Sequence, residues 1–156
     1  MLATFEAALL RLAPIYHGLG SPLGDGSAVV VIPGFLGTDG WMAEIYAWLH
    51  RLNYRPCFSG IGLNADCPHI LIRSQLTKVL EQARRETGRK VHLIGHSLGG
   101  LKALSLAAQR PDAVASVVAG THIGLIFNPT VYKAIADRLA AAQETRAATN
   151  GRPRVA

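Results

Sequence analysis

An α/β fold, with a parallel sheet of about four strands and helices on both faces, is what the sequence predicts. Two observations lead to this fold class. Short runs of β-branched residues alternate along the chain with stretches in which apolar residues recur at helical spacing. The first run, residues 28–32, contains no polar residue, which is typical of a strand covered on both faces. Strands that alternate with helices in this way pair in parallel through right-handed crossovers.

The first 27 residues predict a helix and a lead-in to the sheet (residues 1–27). Apolar side chains recur at helical spacing up to Leu12, and Pro14 ends the pattern. A segment rich in Gly, Pro and Ser then leads to the first strand. We expect the main domain to occupy residues 28–142. Residues 143–156 lack an apolar stripe and are expected to form a flexible tail.

The segment after the first strand predicts a helix and then a second strand. Thr38 or Asp39 is expected to cap a helix whose apolar stripe runs through residues 41–52. Residues 54–58 have the composition of a strand, but Pro56 has no N–H to donate to a neighbouring strand. The second strand is therefore expected at an edge of the sheet.

The second half of the chain continues the alternation of helix and strand. Apolar spacing, a glycine suited to a helix C-cap and proline stops mark the boundaries. The elements expected there are a helix at 72–83, a strand at 90–94, a helix at 98–110, a strand at 114–119 and a helix from Asn128.

Composition and charge exclude several classes of protein. Of the 156 residues, 49% are apolar and 17% are charged, so the chain is expected to be globular. The net charge is +6, but Lys and Arg are spread out and no nucleic-acid motif accompanies them, so we expect no nucleic-acid partner. The absence of a signal-peptide core and of a span-length apolar run predicts a cytoplasmic protein without stable membrane insertion.

Ser97 is the residue on which the functional prediction depends. It lies in the run GHSLGG at residues 95–100, between a predicted strand and a predicted helix. The small residues on both sides of the serine permit a sharp turn that exposes its hydroxyl. A nucleophilic serine needs this exposure, a base that takes its proton, and donors for the oxyanion that forms. The pattern predicts that Ser97 is a nucleophile.

Two backbone N–H groups are candidates for an oxyanion hole. The N–H of Leu98 follows the serine at the start of a helix. The segment PGFLG at residues 33–37 leaves the C-terminal end of the first strand, which in a parallel sheet lies on the same edge as Ser97. The N–H of Phe35 is therefore the second candidate.

These two motifs resemble those of the α/β-hydrolase superfamily, in its lipase and esterase branch. The segment VIPGFLG is similar to the family's oxyanion segment, and VHLIGHSLGG is similar to its nucleophile turn. The resemblance covers residues 28–120 and implies a shortened hydrolase core with the strand order second, first, third, fourth. The segment GTHIG at residues 120–124 also looks like the family's catalytic-histidine segment, which implies His122 as the base.

The chain departs from the family pattern between the nucleophile and the histidine. In the family an acid lies between them in the sequence, whereas here the intervening segment is absent and no acid is assigned. Asp112 is expected at the far end of the sheet. The remaining histidines, including His92 and His96, are expected to pack in the fold or to be exposed.

The expected function is hydrolysis of a carboxylic ester, either a small molecule or a lipid, through an acyl-enzyme on Ser97. No metal or organic cofactor is expected, because the motifs supply the acyl-transfer groups apart from the acid. Two alternatives stay open. The same acyl-enzyme could pass its acyl group to an alcohol or a thiol. Alternatively, the shortened chain could be an inactive hydrolase-fold protein that self-associates through its open sheet edge.

Overall fold

The computed structural model describes residues 2–120 and 126–150 of the chain. Helices and strands alternate along it, with 3₁₀ turns at Pro14–His17 and Asp39–Met42 and a π-helical turn at Ile72–Leu76. The helices are α1 (Leu2–Leu12), α2 (Ala43–Arg51), α3 (Pro68–Leu71), α4 (Thr77–Thr87), α5 (Leu98–Gln109) and α6 (Pro129–Asn150). The strands are β1 (Ala28–Ile32), β2 (Arg55–Phe58), β3 (Val91–His96) and β4 (Val114–Gly120).

The four strands form one parallel sheet in the order β2-β1-β3-β4. This order confirms the expectation from the sequence, and Pro56 lies on β2, an edge strand, as its missing N–H requires. The carboxyl ends of β1 and β3 therefore lie side by side. The loops that follow these two strands, residues 33–37 and the turn at Ser97, are neighbours as a result.

Helices cover both faces of the sheet, as predicted. Successive side chains of a strand point to opposite faces, so the apolar β1 supplies both layers of the core. Val29 and Val31 pack on one face in a cluster that includes Trp48 of α2 and Tyr132 of α6. The other face carries Val30, and its cluster contains buried residues of α4 and α5. The uninterrupted apolar run is explained by this double burial.

The beginning of α2 differs from the expectation. Neither Thr38 nor Asp39 caps a helix with its side chain, and α2 begins at Ala43 after a 3₁₀ turn. The Asp39 carboxylate instead accepts hydrogen bonds from the Ser59 N–H (3.1 Å), the Ser59 hydroxyl (2.7 Å) and the Gly60 N–H (2.9 Å). Asp39 thus accepts three hydrogen bonds from a distant loop in place of the one that a helix cap would make. These bonds connect the loop after β1 to the segment after β2.

The last helix is longer than its apolar pattern indicates. The apolar pattern predicts a flexible tail from residue 143, yet α6 continues to Asn150. Gln143 donates to the Tyr54 hydroxyl (2.5 Å), and Arg146 pairs with the Asp25 carboxylate. These polar contacts hold the end of α6 against the first half of the chain. Among the described helices, none combines the length and the apolar character needed to cross a bilayer.

Candidate active site

Ser97 occupies a sharp turn between β3 and α5. Its backbone has φ 50° and ψ −120°, a conformation that residues with a side chain rarely adopt. Such strain persists only where the surrounding structure imposes it, and it is found most often at functional sites. The Ser97 N–H is held by the carbonyl oxygen of Gly120 at the end of β4 (2.5 Å). The side chain is half-buried at the carboxyl edge of the sheet.

The glycines around Ser97 are required by close backbone contacts. A Cβ at Gly95 would lie 2.4 Å from the Gly99 carbonyl oxygen, inside the same turn. A Cβ at Gly99 would lie 2.4 Å from the carbonyl oxygens of both Ile32 and Pro33. The start of α5 therefore packs directly on the end of β1. No side chain larger than a hydrogen fits at either glycine without displacing backbone.

The loop of residues 33–37 lies beside the Ser97 turn. A Cβ at Gly34 would be 2.6 Å from Nδ1 of His96, the residue before the serine. Within the loop, the Leu36 and Gly37 N–H groups donate to carbonyl oxygens, and Leu36 has a positive φ of 56°. In the described part of the chain, no acceptor is found for the N–H of Phe35.

Two apolar hollows open on either side of the turn. The larger, about 450 Å³, lies between α5 and β4, and its wall includes Ser97, Leu101 and Leu104. The smaller, about 250 Å³, is lined by the loop of residues 33–37 together with Trp41 and His96. Concave, mostly apolar surfaces with a few polar groups are typical of small-molecule sites. The serine hydroxyl thus lies at the edge of space that could accept an apolar group.

The predicted base, His122, lies outside the described residues. Of the described histidines, His92 is buried in the sheet, with Nδ1 2.8 Å from the Ser116 hydroxyl. Burial lowers its pKa to about 4. His17 is tied by Nε2 to the Arg11 carbonyl oxygen (2.7 Å) in an exposed position. His92 and His17 therefore have structural surroundings, as expected, whereas His96 lines the smaller hollow.

The pKa of His92 predicts how stability depends on pH. The folded protein keeps His92 neutral down to about pH 4, whereas the unfolded chain protonates it below its ordinary value of 6.5. Between these values the unfolded state binds more protons, so we expect stability to fall as the pH is lowered from 6.5 to 4, by up to ~1.4 kcal/mol per pH unit from this residue. Urea unfolding at several pH values measures the slope.

The substitution that isolates this effect is His92→Gln, which removes the titrating ring. We expect its unfolding free energy to vary less steeply with pH than that of the wild type over the same range. His69→Gln, at an exposed position, is the matched control and should keep the wild-type slope. Equal slopes for His92→Gln and the wild type would contradict the assignment.

Several carboxylates of the described chain are engaged away from Ser97. Arg110 and Arg84 bind Asp112 and lower its pKa to about 2. Asp112 precedes β4, at the opposite end of the sheet from Ser97, as the sequence predicts. Asp137 pairs with Lys133 on the same helix. Within the described ranges, no group of three or more His, Cys, Asp or Glu side chains is placed to hold a metal ion.

Two buried polar residues beside the candidate site, Asn64 and Lys102, are not among the candidates that the sequence motifs indicate. Asn64 follows β2 and binds the loop of residues 33–37, and Lys102 lies on α5 and donates to the Asn64 side chain. Lys102 does carry a sequence signal, because it lies three residues after Gly99 and four before Leu106, both of which are buried on the inward face of α5. The loop position of Asn64 carries no comparable local signal.

Comparison with known proteins gives a family match. The model of the Esterase family ("Putative esterase") matches residues 69–147, just over half of the 156 residues. The matched segment includes the turn at Ser97 and most of α6. None of the curated proteins is significantly similar to the chain.

Solved structures share the fold at low sequence identity. The mature form of the Bacillus licheniformis lipase BlEst2 is 20% identical with a TM-score of 0.50, over 86% of this chain and 63% of the lipase. Its propeptide form is 24% identical with a TM-score of 0.50, over 65% and 24%. A "probable hydrolytic enzyme" of Pseudomonas aeruginosa PAO1 is 22% identical with a TM-score of 0.51, over 67% and 36%. The chain thus spans between 24% and 63% of the length of these structures.

Proposed function

This chain belongs to the Esterase family, and we propose that it hydrolyses carboxylic esters through an acyl-enzyme formed on Ser97. The observation that carries the proposal is the strained backbone of Ser97 between β3 and α5, enclosed by glycines that no larger residue can replace. This is the local structure by which a strand-turn-helix projects a serine hydroxyl from a parallel sheet.

The proposed reaction has two steps. In the first, the Ser97 hydroxyl oxygen attacks the ester carbonyl carbon while His122 takes its proton, the carbon–oxygen bond to the alcohol breaks, and the alcohol leaves with that proton. In the second, water attacks the acyl group and gives a proton to His122. The carboxylic acid then leaves, and the serine oxygen takes the proton back. No acid that would orient His122 is assigned.

Two backbone N–H groups are proposed to stabilise the negative charge that develops on the carbonyl oxygen. Leu98 is the first residue of α5, and the first N–H groups of a helix have no acceptor within that helix. The N–H of Phe35 lies in the adjoining loop, which packs against the residue before Ser97. Donors held in place before the reaction stabilise the oxyanion without reorganisation.

The apolar hollow beside Ser97 supports a substrate with an apolar portion. Leu101 and Leu104 are exposed on α5 and form part of its wall, and Ala119 lies opposite on β4. Exposed large apolar side chains grouped around a polar reactive group favour an ester of a small apolar molecule or a lipid.

The proposed role of the Phe35 N–H predicts different effects for two substitutions. Phe35→Pro removes the N–H and should lower turnover of a model ester such as p-nitrophenyl butyrate by ~10² to 10³, because one oxyanion donor is lost. Phe35→Leu keeps the N–H and an exposed apolar side chain, so most of the turnover should remain. Equal turnover in two variants with wild-type circular dichroism spectra would exclude this donor.

Covalent labelling tests the proposed function directly. A fluorophosphonate reacts with an activated serine, so incubation of the native protein followed by peptide mapping should place one adduct on Ser97. Protein unfolded in urea should give no adduct, because the hydroxyl is then an ordinary alcohol. Labelling at another residue would contradict the proposal. A native protein without any adduct would favour the inactive alternative, in which an open edge of the sheet pairs with a second chain.

A further inference from the structure

Lys102 and Asn64 form a buried polar pair beside the candidate active site. The Lys102 side chain is 1% exposed, and its Nζ donates to Oδ1 of Asn64, which is fully buried. Burial of an ammonium group costs stability unless its interactions offset that cost. An apolar residue of similar length would fill the same space on α5. The packing of the helix therefore does not explain why a lysine is present.

Asn64 holds the loop of residues 33–37 through three hydrogen bonds. Its Nδ2 donates to the carbonyl oxygen of Pro33 (2.8 Å). Its backbone carbonyl accepts from the Leu36 N–H (3.0 Å), and its own N–H donates to the Gly37 carbonyl oxygen (2.9 Å). The bonds lie on both sides of Phe35 in the sequence. The position of the Phe35 N–H therefore depends on where Asn64 lies.

Lys102 connects this loop to the helix that begins after Ser97. It lies one helical turn after Leu98 on α5. Leu98, one candidate oxyanion donor, therefore lies on the same helix as Lys102. The Lys102 side chain binds Asn64, and Asn64 binds the loop that contains Phe35, the other candidate donor. Contact of Gly99 with the carbonyl oxygens of Ile32 and Pro33 is a second link between the same two segments.

We propose that Lys102 and Asn64 are positioning residues that set the separation of the Leu98 and Phe35 N–H groups through their buried hydrogen bond. This inference rests on the proposed function of those groups. It assigns the buried lysine no direct contact with substrate. Because a displacement of about 1 Å can cost ~10²-fold in rate, and Gly99 still links the two segments, loss of the bond should lower kcat by ~10- to 10²-fold. KM should change by less than about threefold, since the apolar hollow is unaltered.

The test compares Lys102→Met with Lys102→Gln. Methionine keeps an unbranched side chain and removes the donor, whereas glutamine keeps an N–H donor without the charge. We expect Lys102→Met to lose kcat for p-nitrophenyl butyrate and Lys102→Gln to recover part of it. A role limited to stability would leave the kcat of both folded variants at the wild-type value. Lys78→Met, on the exposed face of α4, is the matched control and should keep the wild-type kcat.

Amide hydrogen exchange measured by NMR provides a readout that needs no catalysis. The Leu36 N–H, bound to the Asn64 carbonyl, should exchange at least about tenfold faster in Lys102→Met, while the amides of β1 keep their wild-type rates. Asn64→Asp is the second variant should Lys102→Met fail to fold. It keeps the acceptor for Lys102 and loses the donor to Pro33, and the same faster exchange is expected.

The outcomes separate this inference from the proposed function. Wild-type kcat and wild-type Leu36 exchange in both variants would overturn the positioning role, whatever the activity of the protein. A wild-type protein without turnover or fluorophosphonate labelling would overturn the proposed function and the catalytic meaning of the pair. The exchange rates would still decide whether Lys102 and Asn64 hold the loop.

Discussion

Replacing Ser97 with alanine is expected to abolish fluorophosphonate labelling and to lower turnover of p-nitrophenyl butyrate by ~10⁶, as is typical when the nucleophile of a serine hydrolase is removed. The physical reason is that the substrate then has only water to react with, while the oxyanion donors and the apolar hollow remain. Alanine occupies less space than serine at the same backbone position. We therefore expect little change in the unfolding midpoint, measured in urea beside the kinetic assay.

Ser105→Ala is the matched control for this substitution. Ser105 lies on the same helix, α5, and its hydroxyl accepts a hydrogen bond from Gln109 rather than facing the turn. Its loss should leave both labelling and turnover unchanged. Retention of ester hydrolysis by Ser97→Ala at more than about 1% of the wild-type rate would show that another group carries the reaction.

His122→Ala is expected to lower the rate of Ser97 acylation by several orders of magnitude, ~10⁴ or more. Without a base, the serine proton has no acceptor in the transition state, and the hydroxyl reverts to a weak nucleophile. The pseudo-first-order rate of fluorophosphonate labelling measures the step before deacylation. This labelling step needs no proton transfer to a departing alcohol. A lower labelling rate in His122→Ala therefore reports on the activation of Ser97 itself.

His17→Ala and His92→Gln are the controls for the loss of His122. His17 is bound to the Arg11 carbonyl in an exposed position, and His92 is buried in the sheet, so neither should change the labelling rate. Unchanged labelling in His122→Ala would remove His122 as the base. His96, which lines the hollow beside Phe35, would then be the next histidine to replace.

The parts of the fold that were predicted from sequence depend on local patterns. Apolar residues at every position of β1 indicate a strand that is buried on both faces. Pro56 has no N–H to donate to a neighbouring strand, which indicates that β2 lies at an edge of the sheet. Glycines on both sides of Ser97, between a strand and a helix, likewise indicate a sharp turn without knowledge of any distant residue. Local patterns of this kind are enough to predict that the strands exist, that β2 lies at an edge and that the turn at Ser97 is exposed.

The parts that needed the tertiary structure are polar contacts between residues distant in the sequence. Asp39 is a residue type that often caps helices, and its position predicts such a cap. Its carboxylate instead accepts three hydrogen bonds from Ser59 and Gly60. The end of α6 has no apolar stripe, yet a hydrogen bond from Gln143 to Tyr54 holds it against the sheet. A local pattern cannot reveal a partner 20 or 89 residues away.

Local patterns in the sequence are therefore enough to predict the α/β class and the candidate nucleophile, and the family resemblance implies the strand order. The link between the two oxyanion candidates is visible only in the folded protein, because Lys102 and Asn64 are 38 residues apart and neither lies in a recognisable motif. Apolar periodicity shows which face of a helix or strand is buried, but it does not show which residues of another element contact that face. Hydrogen-bond partners in a buried pair are set by the packing of α5 against the loop after β1, which exists only once the chain has folded.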